Sequence, residues 1–485
     1  MRARRSPTPI GWLLRSADRS NALDAGQAAK RYGRTASLLS VAVGATGFIV
    51  YLYFALAAHN LDAADYGDIA TLWLVVFVTV ATLYRPVEQL LSRTIAERHA
   101  RPGFRGRPVR VAATIQAVIA ATVTALCLAL RGPIEDRLLS DSSTLYWIMV
   151  VSIAAYAGTF FARGFFAGHR RFGLYSAVLL SDACTRILFP LAVAVGIASG
   201  TTAIALGIVA GPLVSLALAP VVVVIALRGR PGRSLEPEGP ARPGEAGGAQ
   251  GPEFTLAHGS GFAAAVLLIM FSEQLFLSSG ALILRLTEGA VATAFIFNVL
   301  MLARAPVYLF QAVATSLLPH LTRLRFRSGG GSDDAFRLSV RVTLGAVVGF
   351  AALVAALVAV AGPALMQIAF SDEFTYDRVG LLIVTVGMGF YLAAATLNQA
   401  ALAQGQARRA AMCWIGCAIA YVAWNLLPVL DDFRRVEIGF ALAAATLCGL
   451  LFLLYRAPHP RVEDAVRPDS PQEIEARLAA ADEAG

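Results

Sequence analysis

Of the 485 residues, 57% are hydrophobic and 15% are charged, whereas about a quarter of the residues in a soluble domain are charged. With a mean hydropathy of +0.63, this composition excludes an ordinary soluble protein. The formal net charge is +9, but the basic residues lie in short segments between apolar runs. That arrangement is typical of membrane helices and argues against a nucleic-acid-binding protein.

The apolar runs that recur from Ala36 to Tyr455 are about 18 to 25 residues long, enough to cross a hydrocarbon core of about 30 Å. They lack the alternating polar pattern of outer-membrane strands, so the sequence predicts an all-α polytopic membrane protein. Twelve spans are predicted in two sets of six: 36–58, 67–87, 111–130, 146–163, 174–197, 202–227, then 260–284, 290–318, 338–362, 379–403, 410–430 and 436–455.

The two sets are separated by residues 228–257, whose Gly/Pro-rich composition predicts a flexible linker. The flanking lobes, 36–227 and 258–455, contain similar segments: EQLLSRTIAE ends span two much as TSLLPHLTRL ends span eight. An internal duplication predicts two pseudo-symmetric six-helix lobes that enclose a path between them. Residues 1–35 form a basic N-terminal segment and residues 456–485 a polar tail.

Arginine placement predicts the orientation of the spans. Clusters at Arg2–Arg5, Arg93–Arg110 and Arg170–Arg171 mark the cytoplasmic side, so both termini are expected in the cytoplasm. The alternate loops are acidic or neutral, as in Asp62 to Asp68, Glu135 to Asp141, Ser199 to Thr202 and Ser371 to Asp377. We interpret the acidic pairs Glu135–Asp136, Asp372–Glu373 and Asp431–Asp432 as solvated loop charges. Arg434 and Arg435 are an exception in the last outer loop. The preference for arginine over lysine favours a GC-rich bacterium, and hence a bacterial cytoplasmic (inner) membrane.

Charged side chains inside the bilayer are the candidate site residues, since each costs about 3 kcal/mol and usually faces the protein interior or a watery cavity. The deepest are predicted in spans five, seven and eight, with two more near the cytoplasmic end of span two. Together with neighbouring polar residues, the candidates are Asp182, Arg186, Glu273, Arg304, Arg85, Glu88, Asn298, Gln274 and Gln311.

Spacing along the helix distinguishes structural from functional interpretations. Asp182 and Arg186 lie four residues apart on one face, which favours a structural ion pair over a binding role. Arg85 and Glu88, three apart, suggest the same pairing, although Arg85 could also reach the inner headgroups. Arg304 has no acidic residue within one turn. Its partner is therefore expected on another helix or on a substrate anion, and a planar guanidinium suits phosphate.

Three segments carry a resemblance to a known family: AADYGDIATLWLV from Ala63 to Val75, RGFFAGHRRFGLYS from Arg163 to Ser176, and SLLPHLTRL from Ser316 to Leu324. With the six-plus-six plan, they resemble the oligosaccharide (Wzx-like) flippases and polysaccharide exporters of the multidrug/oligosaccharidyl-lipid/polysaccharide (MOP) transporter superfamily. The resemblance implies V-shaped lobes around a central cavity that receives an undecaprenyl pyrophosphate-linked glycan by alternating access. By helix position, it implies a cavity lined by Arg85, Glu88, Glu273, Asn298 and Arg304.

The function expected from these features is translocation of a lipid-linked oligosaccharide from the inner to the outer leaflet, for cell-surface polysaccharide assembly. Its expected partners are that glycan, membrane lipids, a coupling proton or sodium ion, and polysaccharide polymerases and glycosyltransferases. The first alternative is an ion-coupled exporter of small cationic or drug-like molecules, with Glu273 and Asp182 as coupling carboxylates. A second is a membrane glycosyltransferase or polymerase, which the short outer loops disfavour. The sequence shows no Walker-type phosphate loop, so direct ATP drive by this chain is not expected. A flippase needs no covalent chemistry, and neither an enzymatic activity nor a cofactor is expected.

Overall fold

The computed structural model describes residues 39–100, 108–228, 256–304 and 332–457. The regular elements within these ranges are α-helices. They are α1 Leu39–Asn60, α2 Ala63–Leu83, α3 Arg85–Ala100, α4 Pro108–Ala129, α5 Arg131–Leu138, α6 Ser143–Gly168, α7 Phe172–Ala194, α8 Thr201–Arg228, α9 Leu256–Thr287, α10 Ala290–Arg304, α11 Ser332–Phe370, α12 Arg378–Ala403, α13 Ala407–Asn425 and α14 Asp432–Arg456.

The all-α, multi-pass membrane architecture is confirmed. Within the described ranges, ten helices are long and apolar enough to cross a membrane. The shorter α10 and the 19-residue α13 coincide with the remaining predicted spans, eight and eleven. Residues 305–318 of span eight, including Gln311, lie outside the described residues, as do residues 1–35, most of the predicted linker and all but the start of the tail.

Several helices begin at a side-chain cap. Asp62 accepts a hydrogen bond of 2.8 Å from the backbone N–H of Asp65 at the start of α2. Asp377 does the same for Gly380 in α12, at 3.1 Å. Such caps satisfy amide groups that have no partner within the helix. The acidic residues at these positions therefore help to fix where each helix begins.

Predicted span two is longer and bent. The apolar stretch continues from Ala63 to Ala96, but the helix is interrupted at Tyr84, between α2 and α3. Pro86, the second residue of α3, has no N–H to donate to the preceding turn, and this accounts for the interruption. Arg85 therefore lies at the junction of two helical segments.

Helices of the same half pack mainly against one another. In the first half α6 contacts α2, α3, α4, α7 and α8; in the second, α12 contacts α11 and α14, and α13 contacts α9 and α14. Between the halves, α9 contacts α2 and α5. These helices meet near the end of α9 and the start of α2, the side that arginine placement predicts to be outer.

Ion pairs in the first turn of α14 account for Arg434 and Arg435, the two arginines that depart from the predicted pattern of basic cytoplasmic segments. Arg434 forms ion pairs with Asp377 and with Glu437, the latter at 2.8 Å, and Arg435 pairs with Asp432. The hydrogen bond from Arg434 lowers the pKa of Asp377 below its usual value. Because both arginines are neutralised locally, their presence on the outer side does not conflict with the predicted orientation.

Candidate functional site

Three charged residues lie near one another on helices from both halves; Arg85 is exposed, and Glu273 and Arg304 are half-buried. Glu273 is 14 positions before Thr287 at the end of α9, and Arg304 is 14 positions after Ala290 at the start of α10. At 1.5 Å per residue, each lies about 21 Å along its own helix from the short connection between α9 and α10. Arg85 of α3 comes from the other half and interacts electrostatically with Glu273. We call Arg85, Glu273 and Arg304 the central charge group.

Tyrosines of the second half border this group. The hydroxyl of Tyr391 on α12 interacts electrostatically with all three members, and that of Tyr421 on α13 with Arg304. Gln274 is buried, and its Oε1 has no hydrogen-bond partner among the described residues. The group thus combines two guanidinium groups, one carboxyl group and neutral polar groups, a set that can bind an anionic head group.

Asp182 and Arg186 form the ion pair that their spacing predicts, with 2.6 Å between Oδ2 and Nη2. Both are buried within the first half. Arg186 also donates a 2.6 Å hydrogen bond to the hydroxyl of Tyr156, and its guanidinium lies 4.6 Å from the ring centroid of Trp73. These contacts link α6, α7 and α2, so the pair has a structural role in the interior of one half.

The predicted pairing of Arg85 with Glu88 is wrong. Glu88 is buried and pairs with Arg163 of α6 at 3.3 Å. Arg163 also donates a 2.9 Å hydrogen bond to Tyr175 and lies 4.3 Å above the ring of Phe160. Three residues span most of one helical turn, and Glu88 turns towards α6 while Arg85 is exposed. Glu88 therefore contributes no free charge to the central charge group.

A cavity of about 350 Å³ adjoins Glu88 on the side of α3 predicted to face the cytoplasm. Leu39, Arg93, Phe172 and Tyr175 are among its lining residues. Its walls come from α1, α3, α6 and α7, all of the first half, so it is separate from the central charge group.

Asn298 joins the two halves. Its side-chain oxygen accepts a hydrogen bond from the hydroxyl of Tyr66 on α2, and both side chains are buried. Phe297 beside it packs on Phe54 of α1, with ring centroids 4.7 Å apart, and Tyr66 packs on Phe374 at 5.1 Å. Asn298 thus belongs to a contact between the halves on the predicted outer side.

Asp68, in a segment predicted to form an acidic outer loop, connects the two halves. It lies within α2, is buried, and pairs with Arg285 of α9 at 2.8 Å. Ser140, in the segment after α5, donates a 2.8 Å hydrogen bond to Asp68 and accepts one of 2.8 Å from Arg285. Glu373, predicted to be a solvated loop charge, instead accepts a 3.1 Å hydrogen bond from the backbone N–H of Ala63. Charged residues near the predicted outer side of one half therefore bind the other half.

Gly67 lies at the closest approach of the halves. A Cβ atom at this position would lie 2.0 Å from the carbonyl oxygen of Ala290. Only glycine allows these two backbones to meet at that distance. The sequence around Gly67 gave no sign of this contact, because it depends on a helix more than 200 positions away in the chain.

The sequence reasoning missed Arg163, Asp68 and Arg285 as buried charges. Arg163 ends predicted span four, and Asp68 and Arg285 lie at the edges of spans two and seven, where charges are ordinarily hydrated. One feature of the sequence could have identified them, since each of these residues stands at the end of an apolar run and can reach the protein interior. Spacing alone could not identify their partners.

Comparison with solved structures gives matches along most of the chain. A multidrug resistance MATE family transporter of the MOP superfamily in its inward-facing conformation matches with a TM-score of 0.63 and 11% identity, over 86% of this chain and 97% of that one. A MOP superfamily transporter from Pyrococcus furiosus, for which a reverse polarity of the binding pocket suggests a different function, matches with a TM-score of 0.54 and 13% identity, over 87% and 94%. The chain has the fold of MOP-superfamily transporters. No family model and no curated protein matches the sequence.

An outward-facing MATE family transporter of the MOP superfamily matches this MOP fold with a TM-score of 0.56 and 12% identity, over 87% of this chain and 94% of that one. The inward-facing structure gives the higher score, 0.63.

Proposed function

We propose that this protein is a transporter that moves a lipid-linked, undecaprenyl pyrophosphate-type oligosaccharide from the inner to the outer leaflet of the bacterial cytoplasmic membrane. The observation that carries the proposal is the central charge group, in which two arginines and one glutamate from both halves give one net positive charge. A pyrophosphate head group is anionic, and arginine binds its oxygens with two hydrogen bonds at once.

The other buried charges described here support this assignment. Glu88 pairs with Arg163, Asp182 with Arg186, and Asp68 with Arg285, so each of these pairs is electrically neutral. The central charge group differs from these pairs in bringing two arginines together with one carboxyl group. A site for small cations would be expected to carry an excess of carboxylates instead.

The contacts between the halves fit a mechanism of alternating access. With the predicted outer side joined, cargo would enter from the cytoplasmic leaflet, and separation of the outer contacts would release it on the other side. The polar head group would pass along the protein interior while the lipid tail stays in the bilayer. Translocation by this mechanism needs no covalent chemistry, so the proposed function is not enzymatic.

The test is transport by purified protein in liposomes that contain a fluorescent undecaprenyl pyrophosphate-linked oligosaccharide. We expect the protein to make the inner-leaflet pool accessible to a membrane-impermeant quencher, while empty liposomes keep about half of it protected. Ethidium, a small organic cation, is tested in parallel with an imposed proton or sodium gradient. Movement of ethidium without movement of the glycan would contradict the proposal and support the exporter. Extension or transfer of the glycan, seen by mass spectrometry, would support the glycosyltransferase or polymerase.

Glu273→Gln separates the two transport functions further. Removal of its negative charge raises the net positive charge of the central group, so the half-saturating concentration of lipid-linked glycan is expected to fall by about threefold. In an ion-coupled exporter the same change would remove a coupling carboxylate and stop gradient-driven ethidium transport. The two assays on one variant therefore give opposite results for the two functions.

A further inference from the structure

The contact between Asp68, Ser140 and Arg285 connects helices that belong to different halves. Asp68 is on α2, Ser140 follows α5, and Arg285 is in the last turn of α9. Each pair among the three is joined by a 2.8 Å contact. Asp68 and Arg285 are only 8% and 5% exposed, so the ion pair is shielded from water. We call these three residues the outer latch.

We propose that the outer latch is a reversible gate whose ion pair sets the balance between the outer-closed and outer-open states. An ion pair suits this purpose better than an apolar contact. In the closed state the low dielectric strengthens the attraction between the charges, and in the open state water hydrates both ions. The hydration offsets much of the lost attraction, which keeps the two states close in free energy.

One feature of the closed latch favours its release. The Nε and Nη1 groups of Arg285 are buried and have no hydrogen-bond partner among the described residues, so closure leaves part of its hydrogen-bonding capacity unused. The turn that carries Ser140 belongs to the first half itself, because backbone hydrogen bonds from Asp141 to Glu135 and from Ser142 to Leu139 hold it.

A position on α10 reports the opening. Ala290, Phe297 and Asn298 all contact the first half, and Ala294 lies on the same helical face and is fully buried. The thiol introduced by Ala294→Cys should therefore be protected while the latch is closed. The measurement is the rate at which this thiol reacts with an impermeant maleimide added outside intact cells. The same chain without the substitution gives the background labelling of the five native cysteines, which is subtracted.

Asp68→Asn and Arg285→Gln are each expected to raise the labelling rate by about tenfold, because each removes one charge of a buried pair. The charge reversal Asp68→Arg with Arg285→Asp should return the rate towards that of the parent. The matched control is Glu135→Gln, which breaks the 2.9 Å ion pair with Arg131 inside one half. It should leave the rate unchanged.

Parental labelling rates in both latch variants would overturn the proposal, as would an equal rise in Glu135→Gln. Loss of both latch variants from the membrane would overturn it too, since a gate contact is needed in only one state and not for folding. The inference rests on the proposed transport only in assuming two access states. Labelling uses no cargo, so an error in the proposed glycan would leave these results intact, and failure of the latch would leave the glycan assay intact.

Discussion

Replacement of Arg304 by alanine is expected to reduce translocation of the lipid-linked glycan by at least ~30-fold. Without Arg304, a phosphate group of the proposed cargo would lose its guanidinium partner. Loss of one partner from a buried, hydrogen-bonded pair of charges costs about 2–5 kcal/mol of binding free energy. Arg304 supplies one of the two positive charges of the central charge group. Initial rates in the liposome assay, at equal amounts of reconstituted protein, give the measurement.

Arg304→Lys is the matched variant, since it keeps the charge and loses the planar fork that can donate two hydrogen bonds to one phosphate. Its rate should lie between those of the parent and Arg304→Ala. Arg131→Ala removes an exposed arginine outside the group and should transport normally. Full activity in Arg304→Ala would remove Arg304 from the proposed site.

Arg186→Met is expected to give the largest loss of stability among single substitutions of the buried ion pairs. It leaves the Asp182 carboxyl buried without its partner, at a cost of about 3–5 kcal/mol. It also removes the contacts with Tyr156 and Trp73, which connect α7 to α6 and α2. The measurement is the melting temperature of the purified protein in detergent, which should fall.

The double variant Asp182→Asn with Arg186→Met tests the cause of that loss. Without a charge on either residue there is no ion to bury, so most of the lost stability should return. Asparagine keeps the shape of aspartate at position 182, where the side chain lies so close to Gly211 that a Cβ atom on that glycine would be 2.3 Å from Asp182 Oδ1. A single variant as stable as the parent would show that the pair contributes little to folding.

The features that sequence alone predicted are those determined by local physics. Apolar runs of spanning length identified the helices, because backbone groups in lipid must pair within their own segment. The Asp182–Arg186 pair followed from helical periodicity, since residues four apart share a face whatever surrounds them. The alternation of arginine-rich and acidic segments gave an orientation, and Arg434 and Arg435 departed from it because they are neutralised by nearby carboxyl groups.

The features that could not be predicted depend on which helices meet. Glu88 has two arginines within reach, Arg85 along its own helix and Arg163 on α6, and only the packing of α3 on α6 decides between them. Asp68 and Arg285 are 217 positions apart in the chain, so neither periodicity nor hydropathy relates them. The resemblance implied that Arg85, Glu273 and Arg304 share one cavity, but the proximity of Tyr391 and Tyr421 to them became visible only in the folded chain.

The interruption at Tyr84 gives Arg85 a particular mechanical position. The segment before it carries Asp68 of the outer latch, and the segment after it carries Glu88, which is fastened to α6 through Arg163. A helix bends most readily where a bond of its hydrogen-bond ladder is missing, as at Pro86, so movement of α2 on opening of the proposed latch would be taken up next to Arg85. Arg85 would then shift relative to Glu273, and the electrostatic potential at the central charge group would differ between the two proposed states. A ligand shifts such an equilibrium only by its difference in affinity for the states, and a displaced arginine would be one source of that difference.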